Sequence, residues 1–208
     1  MLTVGQLVLF AGKTWRVDEV DEAQKTIYVT RTSGGVPPLF SGGGGRTHTR
    51  VRQRMRQLLE DNELPAFLDE TAKRFLAEAR ACYRRMELSS QVVVDQGSEV
   101  MLLTWLGDAA NEAIACLLIR RGFTATPSGP GVEVLKGGHT TEEVLNALID
   151  AAVDEPPPLD MLLADVQNLQ REKWDWALPD RLLRKAYASQ YLDLEQALGW
   201  AKTLQTTQ

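Results

Sequence analysis

The chain opens on short apolar runs, continuous at 7–10 and 27–29 and alternating with polar residues at Trp15-Arg16-Val17-Asp18, and runs this short between turn-forming residues point to strands at its start. Apolar positions cluster in 7–10, 15–20 and 26–29, separated by Ala11-Gly12 and by Asp21-Glu22-Ala23-Gln24. Such runs between turn-forming residues predict three short strands, the start of a small twisted sheet or barrel. Residues 34–45 then hold two glycine clusters around Pro37-Pro38. Glycine favours positive φ and proline restrains the residue before it, so a loop or irregular edge is expected there. The strands and this loop make one small β-barrel-like module, 1–45.

Beyond the loop the apolar period lengthens to three and four. Val51, Met55, Leu58 and Leu59 fall on one side of a helix beginning near Thr47 or Thr49 and ending at 61–65. Leu68, Ala72, Phe75, Leu76, Ala79, Cys82, Tyr83 and Met86 predict a longer linking helix over about 66–87. These two helices define a segment 46–90. Over 91–155 the pattern becomes strand, helix, strand, helix. Val92-Val93-Val94 and 100–105 flank a turn at 95–98, and Asp108 is placed to cap the helix after them. Residues 123–126 and 132–135 predict a hairpin, and Thr140 with Glu143 predicts a capping box for a helix reaching about Val153. Pro156-Pro157-Pro158 breaks the chain, and a helical tail, 156–208, is expected at about 159–170, 179–189 and 193–204. Its aromatic residues, Trp174, Trp176, Tyr187, Tyr191 and Trp200, are expected to pin these helices to the body. The fold class is α+β: a small N-terminal β-barrel-like module, long helices, a strand-helix-strand-helix module and a helical C-terminal tail.

Several kinds of chemistry find no support. The 208 residues carry a net charge of −5, which argues against a wholly basic nucleic-acid coat but permits a basic face on an acidic body. The two cysteines, Cys82 and Cys116, lie inside helical patterns and read as buried free thiols in a reducing compartment, with no disulfide framework or zinc knuckle. No apolar run approaches the roughly 18 residues of a membrane span and no signal segment opens the chain, so the expected location is the cytoplasm, with no membrane partner. Gly12-Lys13-Thr14 ends like a phosphate-binding loop but lacks the first glycine and lies between strands. His48 and His139 have no Cys, Asp or Glu at a metal-ligand or triad spacing, although His48 sits beside arginines where it could touch phosphate. No catalytic residue and no metal ligand is assigned.

The sharpest functional signal is the series Arg46, Arg50, Arg52, Arg54 and Arg56, in a stretch, 42–59, with no acidic residue. At 100° per residue Arg50 and Arg54 flank one side of the Val51/Met55/Leu58 stripe, and Arg52 and Arg56 the other. A helix of this kind buries its stripe and presents guanidinium groups on two sides. Phosphate oxygens suit such groups, and the glycine run at 42–45 would add free backbone N–H groups at the helix entry. The alternative is a solvated face salt-bridged to Glu60, Asp61, Glu63, Asp69 or Glu70.

The order of features resembles the C-terminal accessory region of Lhr-like DEAD/DEAH-box superfamily 2 helicases. The resemblance rests on Gly5, Val8, Phe10, Ala11, Gly12, Trp15, Val17, Val20 and Asp21, then 25–29, the Pro37-Pro38-Leu39-Phe40-Ser41-Gly42 loop and Met55-Arg56. It continues through Trp105-Leu106-Gly107-Asp108-Ala109-Ala110-Asn111, 117–123, Glu172-Lys173-Trp174-Asp175 and 178–183. It implies an ATP-dependent helicase whose motor lies upstream and holds the ATP and Mg; no motor motif falls on any residue here. This chain would then be a non-catalytic region that grips nucleic acid, DNA in preference to RNA, and packs on the motor domains of the same polypeptide. Arg46, Arg50, Arg52, Arg54 and Arg56 would contact phosphates, Lys13 and Arg31 would extend the track, and Trp15 would be core or a base-stacking surface. The rival expectation is a protein-interaction or packing domain with no nucleic-acid contact of its own.

Overall fold

The computed structural model describes residues 4–10, 13–21, 24, 26–32 and 45–206, and the chain divides into two compact units, Met1–Gly45 and Arg46–Gln208. In the first unit, β1 (Leu7–Phe10), β2 (Lys13–Asp21) and β3 (Thr26–Arg31) form an antiparallel meander with β2 in the centre. The pairing of β2 with β3 shifts register between Val17 and Glu19, a bulge that sharpens the local twist. The expected barrel is not formed. Closure requires the first and last strands to pair, and β1 and β3 each pair only with β2 among the described residues. Most of the predicted loop, 33–44, lies outside the described residues.

In the second unit, α1 (Thr49–Glu60) and α2 (Glu70–Arg85) precede a four-stranded antiparallel sheet built from β4 (Val93–Asp95), β5 (Glu99–Leu103), β6 (Thr124–Ser128) and β7 (Gly131–Leu135), in the order β4-β5-β7-β6. Alternation in the strands sets which face is covered: Val100, Leu102, Val132 and Val134 are buried, whereas Glu133 and Leu135 are exposed. Helix α3 (Asp108–Arg120) packs along β6 and is itself overlaid by α4 (Thr141–Val153) and α7 (Leu194–Thr203). Layers on both sides explain why α3 is buried almost all round, from Ala110 through Leu118. Small residues, Ala113 on α3 and Ala197 and Ala201 on α7, keep these helices close.

The tail departs from its predicted form. Only α5 (Leu159–Leu162) of the expected 159–170 helix exists; Leu162 and Leu163 plug the core and the chain beyond is irregular to a short 3-10 turn at Asp175–Ala177. Helix α6 (Asp180–Tyr191) follows, and Asp193 caps α7 through Gln196 N–H as predicted. Helix α2 starts at Glu70, capped by Asp69, and so is shorter at its N-terminus than expected.

The capping box is present in both directions: Thr140 Oγ1 accepts from Glu143 N–H and the Glu143 carboxylate accepts from Thr140 N–H. Thr140→Ala should cost about 1 kcal/mol in urea denaturation. At the next residue, the Thr141 hydroxyl, then Gly97 N–H and the Lys136 ammonium, bond the Asp95 carboxylate and lower its pKa from 3.8 to about 2. A depressed folded-state pKa contributes stability above the unfolded value that is lost as pH falls through the folded one. Asp95→Asn should therefore flatten the acid-induced loss of stability between about pH 4 and about pH 2, read by circular dichroism.

Candidate nucleic-acid interface

The position of the arginine helix is set at its first turn, where α1 meets the start of α3 backbone to backbone. Asp108 N–H donates to Thr47 O at 2.9 Å, and Thr47 N–H donates to the Asp108 carboxylate at 2.7 Å. Gly107 N–H donates to Thr49 Oγ1, whose own proton goes to Gln196 Oε1 on α7. A Cβ on Gly107 would lie 2.6 Å from Thr49 N and 2.8 Å from Thr47 O, so only glycine admits this approach. Asp108 is the first residue of α3 with Gly107 as N-cap, and its side chain makes no cap bond within its own helix. Asp108 was expected to be that cap; it is instead the anchor of α1.

The same contact decides which arginines face outward. Arg52, only 15% exposed, pairs with Asp108 at 3.3 Å and turns inward. Arg56 pairs with Glu60 at 3.0 Å and donates to Ser89 O at 2.7 Å. Glu60 also accepts from Tyr83 OH on α2, and that bond, followed by Arg56, lowers the Glu60 pKa. Tyr83 packs edge-on against Trp105, and the buried Arg80 donates to Leu58 O and Glu63 O, closing the C-terminal end of α1. The expected burial of the apolar stripe is therefore wrong for its N-terminal part. Val51 is 52% and Met55 42% exposed, because the inward face of α1 is the Arg52/Arg56/Leu59 side.

Outward remain Arg50 and Arg54, with Arg46 just before the helix. Arg50 has no anionic partner among the described residues, and Arg54 donates only to Gln57 while lying near Asp61. The Arg46 guanidinium lies 4.5 Å above the Tyr191 ring. His48 is the N-cap, its Nδ1 accepting from Arg50 N–H at 3.1 Å. No acidic residue occupies the first turn, so the positive end of the helix dipole is uncompensated from within α1. Arg46, Thr47 and His48 border a cavity of about 280 Å³ that also reaches Gln190 and Asp193.

The other candidates belong to the first unit. Pairing of Trp15 with Arg31 and of Val17 with Val29, together with the two-residue alternation along β2, places Lys13, Trp15 and Arg31 on one sheet face. Val17 on that face is fully buried and Trp15 is half-buried, while Lys13 and Arg31 are exposed. The glycine run at 42–44 lies outside the described residues.

One cluster was not legible in the sequence. Glu112 on α3 accepts from Tyr187 OH on α6 and pairs with Arg171 at 3.3 Å; Tyr187 stacks on Tyr191, and Tyr191 OH donates to Glu172. Burial and the Glu112 carboxylate raise the Tyr187 pKa. Only the Tyr187/Tyr191 spacing of four residues hints at it. Next to it a cavity of about 550 Å³ opens between α3, β6 and 165–171, with Cys116 on its wall; burial pushes the Cys116 thiol up to about 12, which keeps it protonated and a poor nucleophile. Among the described residues no group of His, Cys, Asp or Glu is placed to hold a metal ion, and no helix is long and apolar enough to cross a membrane.

Neither protein-family models, curated proteins nor solved structures give a match to this chain. Gly107→Ala should force α1 away from α3 and destabilise the second unit by about 1–3 kcal/mol in urea denaturation. Wild-type stability in that variant would refute the backbone contact as the anchor of α1.

Proposed function

We propose that this chain is a non-catalytic nucleic-acid-binding region that grips the phosphate backbone with the outer face of α1, in the manner of the C-terminal accessory region of an ATP-dependent DEAD/DEAH-box helicase. The observation that carries this reading is the Arg50 guanidinium, exposed and without an anionic partner among the described residues, between Arg46 and Arg54 on the N-terminal half of a helix whose first turn holds no acid. Guanidinium groups offer paired donors to phosphate oxygens at any relevant pH. Arg52 and Arg56 leave the contact set, since each is committed to a carboxylate of the protein. ATP and Mg chemistry belongs to the motor domains of the parent polypeptide, against which this region packs. DNA is the preferred substrate of the reading, with Lys13 and Arg31 as further phosphate contacts.

A second reading, a packing domain with no nucleic-acid contact, draws on the exposed Val51 and Met55 beside the same arginines and on Phe75, 58% exposed on α2. Salt dependence separates the two. Single-stranded oligonucleotide binding, followed by fluorescence anisotropy, should weaken linearly in log affinity against log salt, and the slope should fall by about 1.4 in Arg50→Ala/Arg54→Ala, two phosphate contacts at about 0.7 each. An unchanged slope in this folded variant, or no binding by the wild-type chain at low salt, would leave the packing reading in possession.

A further inference from the structure

The tail carries a surface that neither the core nor the α1 interface uses. Trp174 and Trp176 were expected to pin the terminal helices, yet they are 65% and 68% exposed, two residues apart around the short 3-10 turn. Tyr187 and Trp200, by contrast, are packed into or against the core as expected. Two large rings left in water are an unusual feature of a folded surface and mark a place of contact.

The charges around the rings select the partner. Lys173 Nζ lies 4.8 Å from the centroid of the Trp174 ring and has no carboxylate partner among the described residues. The neighbouring carboxylates keep their charge but are turned to donors of the protein: Glu172 accepts from Tyr191 OH, and Asp175 accepts the backbone N–H groups of Arg171 and Glu172. The surface also connects with α1. Arg46 lies over Tyr191, Tyr191 bonds Glu172, and Lys173-Trp174 follow directly. Exposed aromatic rings beside a cation with no carboxylate partner among the described residues, Lys173, match the unpaired bases and phosphates of a single strand, because each base offers a π-face and each linkage a negative charge.

We infer that Trp174 and Trp176 form a base-stacking platform for single-stranded nucleic acid, continuous through Arg46 with the phosphate-binding face of α1. The inference rests on the reading of α1 as a backbone grip and adds to it the strand type: bases must be unpaired to reach the rings, so the platform favours single strands over duplex. Lys173 holds the phosphate next to the stacked base.

The test uses the whole chain with a labelled oligothymidylate of about 12 nucleotides, within the range that single-strand sites span. Trp174→Ala/Trp176→Ala should weaken single-strand binding by about fivefold or more and abolish the preference over duplex, with the salt slope kept, whereas Trp174→Phe/Trp176→Phe should keep most of the affinity. Unlabelled oligomer should also quench tryptophan emission of the wild-type chain, a readout independent of how any variant folds. Wild-type binding with its usual salt dependence, but with no quenching or with equal affinity in the alanine variant, would overturn the platform while leaving the α1 grip standing. Absence of any binding by the wild-type chain would overturn both.

Discussion

The second unit depends on one close approach, that of the first turn of α1 to the first turn of α3 across Gly107. Both partners are helix N-termini, rich in unsatisfied N–H groups, and helix ends of like polarity repel. The structure resolves this with oxygen acceptors supplied across the contact: Thr47 O and Thr49 Oγ1 serve α3, and the Asp108 carboxylate serves the chain entering α1. A carboxylate between two positive helix ends is favourable electrostatically as well as by hydrogen bonding. This contact sets the first turn of α1, and the bonds of Arg56, Glu60 and Arg80 fix its far end.

These contacts separate the arginines by role. Asp108 takes Arg52 into the protein and the Ser89 carbonyl takes Arg56, two bonds that tie α1 to the rest of the unit, while Arg50 and Arg54 stay in water. The cost falls on the apolar stripe, since orienting α1 by polar contacts leaves Val51 and Met55 exposed. Exposed apolar and cationic groups therefore share the outer face of α1. The chain entry is also tied to the tail, where Arg46 lies over Tyr191 and Tyr191 OH bonds Glu172, two residues before Trp174.

Local signals in the sequence were reliable wherever a residue acts on its own neighbours. The Thr140/Glu143 box, the Asp193 cap and the 124–135 hairpin all involve groups a few residues apart, and each formed as read. Failures came where a partner lies far along the chain. Asp108 has the chemistry of an N-cap, but a residue 61 positions earlier claims its oxygen. The 159–170 helix stops after Leu162 because Leu162 and Leu163 are drawn into the core, and burial outweighs the weak local preference to continue. A barrel needs a partner for each edge, which three strands with a two-residue alternation do not specify.

The sequence by itself determined the α+β composition, the break between an opening set of strands and the following helices, and the concentration of arginine in 46–56, because periodicity, turn residues and charge are local properties. Only the tertiary structure decided that Arg50 and Arg54 are left exposed while Arg52 and Arg56 turn to protein partners, that Glu112, Arg171 and Tyr187 meet, and that two tryptophans of the tail lie outside the core. Each of these depends on which distant backbone a side chain approaches, and a helical wheel gives the angles between side chains without saying which angle points inward.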